Sequence, residues 1–272
     1  MTKSIDDIQH PAVRAILQEY NMRDGIEVSH AADLPARSGL GSSSAFTVGL
    51  IHSILTLKNQ PTSSELLTKE AIRIEQDVIG ENVGSQDQTW AAYGGLGRID
   101  FKQNNDIKMK ALSVSIDRKE KLEDHLLLFF TGVTRFADKI AKNKIQNLPN
   151  KEKQVFEMIK FVDEAQTILE AKEFNIADLG KLLHENWKLK RDLAPEVTNS
   201  FIDDIYEAAI GAGAYGGKLL GAGGGGFILF VAKPSYHQKI REKLNSLIHV
   251  NFSLGSPGSK IVVCERDGLD KL

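Results

Sequence analysis

The sequence predicts an α+β fold, on three observations. Helical and strand-like patterns follow one another without the regular strand–helix–strand repeat of a doubly wound parallel sheet. Charged residues dominate positions 117–124, and the apolar run Leu126–Phe130 directly after them is typical of a buried strand. Two glycine-rich loops lie one in each half of the chain. We therefore expect a first domain over residues 1–123 and a second domain over residues 124–272.

The first half is predicted to contain three helices and one short strand. Pro11 can open a helix, because proline is favoured at the first helical position, and apolar residues continue after it at helical spacing. Ile26 and Val28 alternate with polar neighbours and predict a strand. A second helix follows the first glycine loop, and a third follows Thr62, with Glu65 placed as in a capping box. The first glycine loop is therefore expected to join a strand to a helix.

The second half is predicted to add four helices and two further strands. Helical spacing of apolar residues indicates helices over residues 151–171, 176–190, 199–212 and 236–247. Apolar runs indicate strands over residues 227–232 and 260–264. Cys264, in the last of these strands, is expected to be buried.

The composition is that of a soluble globular protein. Hydrophobic residues make up 42% of the chain and charged residues 26%. The formal net charge of −2 provides no broad attraction for nucleic acid or for an anionic membrane, so neither is an expected partner. The single cysteine excludes an intramolecular disulfide and a cysteine-rich metal site. A reducing, cytoplasmic location is therefore predicted.

The first glycine loop has the composition of a phosphate-binding loop. Its residues are Gly39, Leu40, Gly41, Ser42, Ser43 and Ser44. Glycine lets the backbone approach a ligand, and free N–H groups at a helix start attract anions. A tight turn with one serine cap would explain the glycines but would leave two hydroxyls without a role. The loop is not a Walker loop, because Gly41 occupies the position of the lysine.

Two segments resemble the GHMP kinases, the family of galactokinase and of homoserine, mevalonate and phosphomevalonate kinases. Residues 35–45 (PARSGLGSSSA) are similar to the family's ATP-binding motif, and residues 218–227 (KLLGAGGGGF) to its C-terminal glycine motif. The resemblance extends over nearly the whole chain and is strongest to heptose 7-phosphate kinases and fucose kinase domains. It implies a ribosomal-protein-S5-like first domain, a ferredoxin-like second domain, and ATP bound by Pro35 together with the six loop residues.

The resemblance also assigns roles to two carboxylates. Ser43 and Glu75 would hold Mg²⁺, and Asp87 would orient the acceptor hydroxyl as a base, which matches the needs of phosphoryl transfer. The product would be a sugar 1-phosphate. From the residues alone, Glu75 could equally be a solvated residue in the last turn of a helix, and Asp87 a residue of the loop around it.

Positive charge near the transferred phosphate has several candidate sources. Arg135 is the preferred catalytic candidate, because a phosphate already on the substrate would justify bidentate arginine contacts. Lys188, Lys190 and Arg191 form a second cluster that could equally be a solvated helix face. Lys188 is expected to bind substrate together with the second glycine loop, through Gly221, Gly223, Gly224 and Gly225. The seven histidines show no metal-ligand spacing and are expected at the surface or at helix caps; His184 beside Trp187 could line a sugar site.

The resemblance leaves alternatives open. The family's early strand and glycine loop have no counterpart before residue 35, so an N-terminal segment is expected to be missing. A kinase for fucose, galactose or another alcohol is one alternative to a heptose 7-phosphate kinase. A nucleotide- or sugar-binding protein without catalysis is another, and a homodimer is possible with any of them.

Overall fold

The structure, a computed structural model, confirms the predicted α+β fold. It describes residues 2, 4–22, 25–34, 39–104, 106–133 and 137–265, without the side chains of residues 137–139. Helices dominate the N-terminal part, and a four-stranded antiparallel sheet lies in the C-terminal part. Within these residues every helix is too short or too polar to cross a lipid bilayer. The domain boundary between residues 123 and 124 stays a prediction.

Among the described residues, the 3₁₀ turn Ile5–Asp7, four α-helices and one π-helical turn form the N-terminal part. After the 3₁₀ turn come α1 (Pro11–Glu19), α2 (Ser42–Leu57), α3 (Ser64–Arg73), the π-helical turn (Ile74–Val78) and α4 (Gln86–Tyr93). Their apolar faces share one core, which includes the fully buried side chains of Ile16, Ile51 and Leu67. The first three helices lie where helical spacing predicted them. Helix α4 carries too weak an apolar pattern to be recognised in the sequence.

Side chains cap two of these helices. Pro11 is the first residue of α1, and the His10 ring accepts a hydrogen bond from a first-turn N–H, so this histidine is a cap as predicted. The cap of α3 is Ser63, whose hydroxyl accepts from the N–H of Leu66 at 3.1 Å. The predicted capping box at Thr62 is therefore wrong by one residue, because the helix begins at residue 64.

The strand predicted around Ile26 and Val28 is not formed. Residues 25–34 have no regular secondary structure, and Val28 is exposed. A short alternating pattern becomes a strand only when a neighbouring strand accepts its hydrogen bonds. The described residues before β1 provide no such neighbour. The prediction that a strand leads into the first glycine loop is therefore wrong for the residues that the structure describes.

The strands form one hairpin and one sheet. They are β1 (Gly97–Phe101), β2 (Ile107–Ala111), β3 (Leu126–Phe130), β4 (Ala214–Leu219), β5 (Phe227–Ala232) and β6 (Ile248–Val250). Strands β1 and β2 pair with each other, and the other four form an antiparallel sheet in the order β4-β5-β3-β6. Strands β3 and β5 have the predicted bounds. The second glycine loop is the turn between β4 and β5.

Helices cover this sheet. They are α5 (Ile116–Glu123), α6 (Ala137–Asn147), α7 (Glu152–Glu170), α8 (Ile176–Arg191), α9 (Ser200–Ala212) and α10 (Pro234–Lys243). Trp187 of α8, Tyr206 of α9 and Phe230 of β5 are fully buried in the core between helices and sheet. The four helices from α7 to α10 confirm the predicted ones to within a few residues.

The last predicted strand, over residues 260–264, is also not formed. Val262 and Val263 are 83% and 72% exposed, and Cys264 is exposed rather than buried. The free edge of β3 is instead occupied by β6, with Leu128 opposite Val250. Apolar composition alone therefore predicted the wrong segment as the edge strand. A segment becomes an edge strand only if it lies beside the sheet and can pair with it.

Candidate active site

The two glycine loops touch each other. Gly39 and Gly221 both have positive φ angles, +85° and +62°. A Cβ atom on Gly221 would lie 2.8 Å from the Cα atom of Gly39, closer than van der Waals contact permits. Any larger residue at 221 would push the loops apart. Tertiary folding thus brings together the two motifs that the sequence separates.

The start of helix α2 presents free backbone donors. Gly41, at φ +73°, is the N-cap residue and supplies no side-chain hydrogen bond, so no cap competes for the first-turn N–H groups. Ser43 is exposed on this turn, whereas Ser44 is buried. The positive end of the helix dipole is therefore available to an anion, as predicted for a phosphate site.

Glu75 is the buried centre of the site. The residue is only 2% exposed. The Oε2 atom accepts hydrogen bonds from Ser44 Oγ at 2.9 Å and from Gln88 Nε2 at 2.5 Å. The Oε1 atom is buried and has no hydrogen-bond partner among the described residues. A buried carboxylate oxygen without a partner is costly, and a cation would satisfy it.

The surroundings of Glu75 fit a magnesium ion. Mg²⁺ prefers oxygen ligands, keeps several waters and uses one or two carboxylates together with substrate phosphates. Within the part of the chain that the structure describes, no three His, Cys, Asp or Glu side chains converge on one point. A metal at Glu75 would therefore be held by this carboxylate, by a serine hydroxyl and by phosphate oxygens. Ser43 and Glu75 as ligands of that metal stay a prediction.

The structure adds neighbours of Glu75 that the sequence did not predict. Ser44 donates to its carboxylate. Glu75 lies in the π-helical turn that continues α3, where the N–H of Ile79 donates to the carbonyl of Ile74 at 2.9 Å. Such turns are frequent at functional sites. Gln88, which the sequence did not single out, joins α4 to the carboxylate.

Asp87 lies beside the first glycine loop. It belongs to the first turn of α4 and not to a loop, which corrects the prediction. A Cβ atom on Gly41 would be 3.1 Å from the Cβ and Cγ atoms of Asp87, a tight contact, and the positive φ of Gly41 also favours glycine. The residue keeps contact with solvent, yet the surrounding protein partly desolvates its carboxylate, which raises the pKa of Asp87 above its usual value. Consecutive residues of α4 thus serve Glu75 and the glycine loop.

The second glycine loop packs on backbone from two other segments. A Cβ atom on Gly223 would lie 2.7 Å from Val197 Cα, and one on Gly225 would lie 2.9 Å from the carbonyl oxygen of Val133. The N–H of Gly224 donates to the Val197 carbonyl at 2.9 Å. Packing therefore already requires these glycines. Their predicted contact with substrate stays a prediction.

Lys190, and not Lys188, contacts the second glycine loop. The Nζ atom of buried Lys190 donates to the carbonyl oxygens of Leu219 at 2.7 Å and Gly221 at 2.8 Å. Lys188 is exposed and pairs with Glu185 at 2.8 Å on the same helix. The structure thus gives Lys188 the place of a solvated helix residue, and its role in substrate binding stays a prediction.

The remaining candidate residues divide into two groups. Pro35 and Arg135 lie outside the described residues. His184 and Trp187 are described: the Nδ1 atom of His184 is 2.7 Å from the Tyr206 hydroxyl, and Trp187 is completely buried. Trp187 is therefore a core residue. His184 as a residue of a sugar site stays a prediction.

A cavity of about 680 Å³ opens next to the first glycine loop. Leu40 and Ala45 line one side, Trp90 a second, and residues 253–259 a third. Residues 253–259 are held there by a hydrogen bond of 2.8 Å from the N–H of Gly95 to the carbonyl of Ser256. The cavity gives an organic group space directly beside the candidate phosphate site.

Two family models match the chain. The model of the GHMP kinases N terminal domain matches residues 8–95, and the model of the GHMP kinases C terminal matches residues 151–249. Together they include both glycine loops, Glu75, Asp87 and Lys190.

Individual relatives match over much of the chain. D-glycero-alpha-D-manno-heptose 7-phosphate kinase of Campylobacter jejuni is 33% identical over 75% of this chain and 60% of its own length. The bifunctional fucokinase/GDP-fucose pyrophosphorylase of Arabidopsis thaliana is 29% identical over 89% of this chain and 23% of its own length. The chain thus spans less than two thirds of either curated relative.

A solved structure shares the fold. The D-glycero-D-manno-heptose 1-phosphate kinase of Bacteroides thetaiotaomicron superposes with a TM-score of 0.70. The superposition covers 93% of this chain and 74% of that structure, at 23% sequence identity.

Proposed function

Because the chain belongs to the GHMP kinase family, we propose that it transfers the γ-phosphoryl group of ATP to a sugar or sugar phosphate. The observation that supports this most is the buried Glu75 carboxylate, which has one unpartnered oxygen next to an uncapped helix start. The carboxylate can bind a cation and the free N–H groups can bind an anion, and together they suit magnesium-bound phosphate.

The first glycine loop is proposed to bind the nucleotide. The N–H groups at the start of α2 would donate to the phosphates, and the cavity beside Leu40 would take the base. Ser43, the exposed hydroxyl, and Glu75 would hold Mg²⁺, while Ser44 and Gln88 orient the Glu75 carboxylate. When bound, the metal neutralises phosphate charge.

Asp87 is proposed to orient and deprotonate the acceptor hydroxyl. Its position against Gly41 places it next to the phosphate-binding turn. Desolvation raises the pKa of Asp87, which makes its carboxylate a better proton acceptor than a fully hydrated aspartate. The proton of the attacking hydroxyl would pass to this carboxylate as the new oxygen–phosphorus bond forms and the bond from the γ-phosphorus to ADP breaks, with ADP as the leaving group.

The acceptor is proposed to be the anomeric hydroxyl of D-glycero-D-manno-heptose 7-phosphate. The Campylobacter jejuni relative supports this choice, since its name specifies that substrate. The Arabidopsis thaliana fucokinase supports a second candidate, a fucose- or galactose-type sugar. Arg135 and the second glycine loop are proposed to contact the transferred phosphate and the sugar.

A coupled ADP-release assay tests this function. The protein is supplied with Mg-ATP and, in separate reactions, with heptose 7-phosphate, fucose or galactose. Asp87→Asn should lower turnover by about 100-fold or more with nearly unchanged ATP affinity, the scale of a lost general base. Asp117→Asn is the matched control, because Asp117 is also an exposed first-turn acid, in α5. Mg-ATP binding without ADP release from any acceptor would instead indicate a binding protein.

A further inference from the structure

Lys190, Lys218 and Lys144 come from three different elements, and hydrogen bonds place the first two behind the second glycine loop. Lys190 of α8 donates to the carbonyl oxygens on either side of the loop's first turn, at Leu219 and Gly221. Lys218 of β4 reaches back to α8, where its Nζ atom lies 3.2 Å from Asn186 Oδ1. Lys144 of α6 is near enough to repel the charges of Lys190 and Lys218, and we call these three residues the lysine cluster.

Polar contacts hold helix α6 against the segment that directly follows α8. Asn147 at its end donates to the carbonyl of Leu193 at 3.3 Å, and Asn143 donates to Glu196 at 2.8 Å. These contacts position Lys144, one residue after Asn143, on the helix that adjoins the end of α8.

The lysine cluster lacks a negatively charged partner among the described residues. None of the three lysines forms an ion pair with a carboxylate of the described residues. Burial, followed by repulsion from Lys218 and Lys144, lowers the pKa of Lys190 well below its usual value. Burial also lowers the pKa values of Lys218 and Lys144. Like charges are kept together only at a cost in stability.

Some N–H donors of the cluster have no partner among the described residues. An ammonium group carries three N–H donors, and the described partners use two on Lys190 and one on Lys218. A structural role for Lys190, as a strut between two carbonyl oxygens, explains its two hydrogen bonds. That role does not explain why Lys218 and Lys144 lie near Lys190.

We propose that Lys144, Lys190 and Lys218 bind the phosphate group of a small-molecule ligand. A phosphate carries close to two negative charges at neutral pH and several strong acceptor oxygens, which match the charges and free donors of the cluster. The position agrees, because Lys190 contacts Gly221 and Gly221 touches Gly39 of the first loop. Where that phosphate belongs to the sugar, the inference rests on the proposed function and selects a sugar phosphate over a neutral sugar.

The first experiment measures binding of inorganic phosphate at constant ionic strength, by calorimetry and by the shift in melting temperature. The parent protein should bind phosphate, and Lys218→Met and Lys144→Met should each weaken binding by about tenfold or more, since charge-assisted hydrogen bonds are lost. Lys181→Met is the matched control on α8, because Lys181 is exposed and paired with Asp178. Its affinity should equal that of the parent.

A second readout separates a binding role from a structural one. Without phosphate, Lys144→Met and Lys218→Met should melt at the same temperature as the parent or higher, because repulsion between lysines is relieved. With phosphate, the parent should gain more than either variant. No phosphate binding by the parent, or equal phosphate affinity in parent and both variants, would overturn the proposal.

The source of the phosphate is decided by titrating two ligands. Heptose 7-phosphate and ADP are titrated into the parent, Lys218→Met and Lys181→Met. A loss confined to the sugar phosphate places its 7-phosphate on the cluster, and a loss confined to ADP places a nucleotide phosphate there. These titrations measure binding and do not depend on turnover. A protein that binds phosphate through these lysines but releases no ADP in the coupled assay would therefore refute the proposed function and leave this inference intact.

Discussion

The two glycine loops use glycine for different purposes. Gly41, in the first loop, leaves the N–H groups of α2 uncapped and lets Asp87 approach. Gly223 and Gly225, in the second loop, admit protein backbone at residues 197 and 133. A glycine-rich motif therefore indicates a close approach of something to the backbone. Only the surroundings decide whether that partner is a ligand or the protein itself.

Among the residues that the structure describes, the two loops also lack partners of opposite charge. Next to the first loop, Glu75 buries a carboxylate oxygen without a partner among the described residues. Next to the second loop, Lys190 and its two neighbouring lysines share positive charge without a described carboxylate. A magnesium ion with phosphate groups would supply both missing charges. We expect both regions to respond in the same way when a charge is removed: ligand binding weakens, and the stability of the ligand-free protein stays constant or rises.

The largest effect is expected from Glu75→Gln, at the negative side of this comparison. Mg-dependent ATP binding should weaken by about 100-fold, because the amide keeps hydrogen-bonding groups but loses the charge that attracts the metal. Without magnesium, the melting temperature should stay constant or rise, since a buried charge is removed. Calorimetry and thermal unfolding with and without magnesium measure both.

Glu65→Gln is the control for this experiment, because Glu65 is an exposed residue of α3 paired with Lys69. It should change neither quantity. If Glu75→Gln and Glu65→Gln bound Mg-ATP with the same affinity, Glu75 would not be a metal ligand.

The contact between the loops is tested by Gly221→Ala. Its φ of +62° and the 2.8 Å approach to Gly39 should make alanine destabilising by about 1–3 kcal/mol. Gly211→Ala is the control: a Cβ there meets open space within α9, so alanine should be neutral or stabilise by about 0.5–1 kcal/mol. Urea unfolding of both variants measures the difference. Equal stabilities would show that the loops need not touch.

Ser43→Ala and Ser44→Ala sharpen the comparison within the first loop. Ser43→Ala should weaken Mg-ATP binding by about tenfold with little change in stability, because Ser43 is exposed and proposed to face the metal. Ser44→Ala should lower the free energy of unfolding by about 1 kcal/mol, because Glu75 loses a buried hydrogen bond. Calorimetry and urea unfolding on each variant assign the two roles. Weaker Mg-ATP binding in Ser44→Ala and lower stability in Ser43→Ala would mean that Ser44 faces the metal and Ser43 has the structural role.

The smallest effect is a pH dependence from the lysine cluster. Burial lowers the pKa of Lys190 below 10.5, so the unfolded chain binds more protons between the folded and unfolded pKa values. This contribution to the free energy of unfolding therefore rises with pH through that window. Lys218 and Lys144 contribute with the same sign.

Lys190→Met should reduce this rise when urea unfolding is followed from neutral pH towards pH 10. Lys181→Met serves as the reference, because Lys181 is exposed on the same helix. A rise of the same steepness in both variants would mean that Lys190 is not desolvated.

Much of the C-terminal part could be predicted from the sequence, because its signals are local. Helices α7 to α9 show helical spacing over many residues, and strands β3 and β5 are uninterrupted apolar runs. Strand β4, with the composition AYGGKL, lacks such a run. It forms because β5 accepts and donates its hydrogen bonds.

Strand pairing also decided the two wrong strand predictions. The segments at 26–28 and 260–264 have apolar residues but no strand beside them among the described residues, whereas residues 248–250 reach β3. A helix satisfies its backbone hydrogen bonds within one segment, while a strand needs a second one. Local patterns therefore name helices more reliably than strands.

The sequence by itself determined the motifs of the site: the glycine loops through their composition, and Glu75 and Asp87 through resemblance to a family. Tertiary structure alone decided that Ser44 and Gln88 hold the Glu75 carboxylate, and that Lys190 contacts the second loop. The physical reason is that these hydrogen bonds join groups on different helices and loops. Which donor reaches which acceptor depends on how those elements pack, and no periodicity along the chain records it.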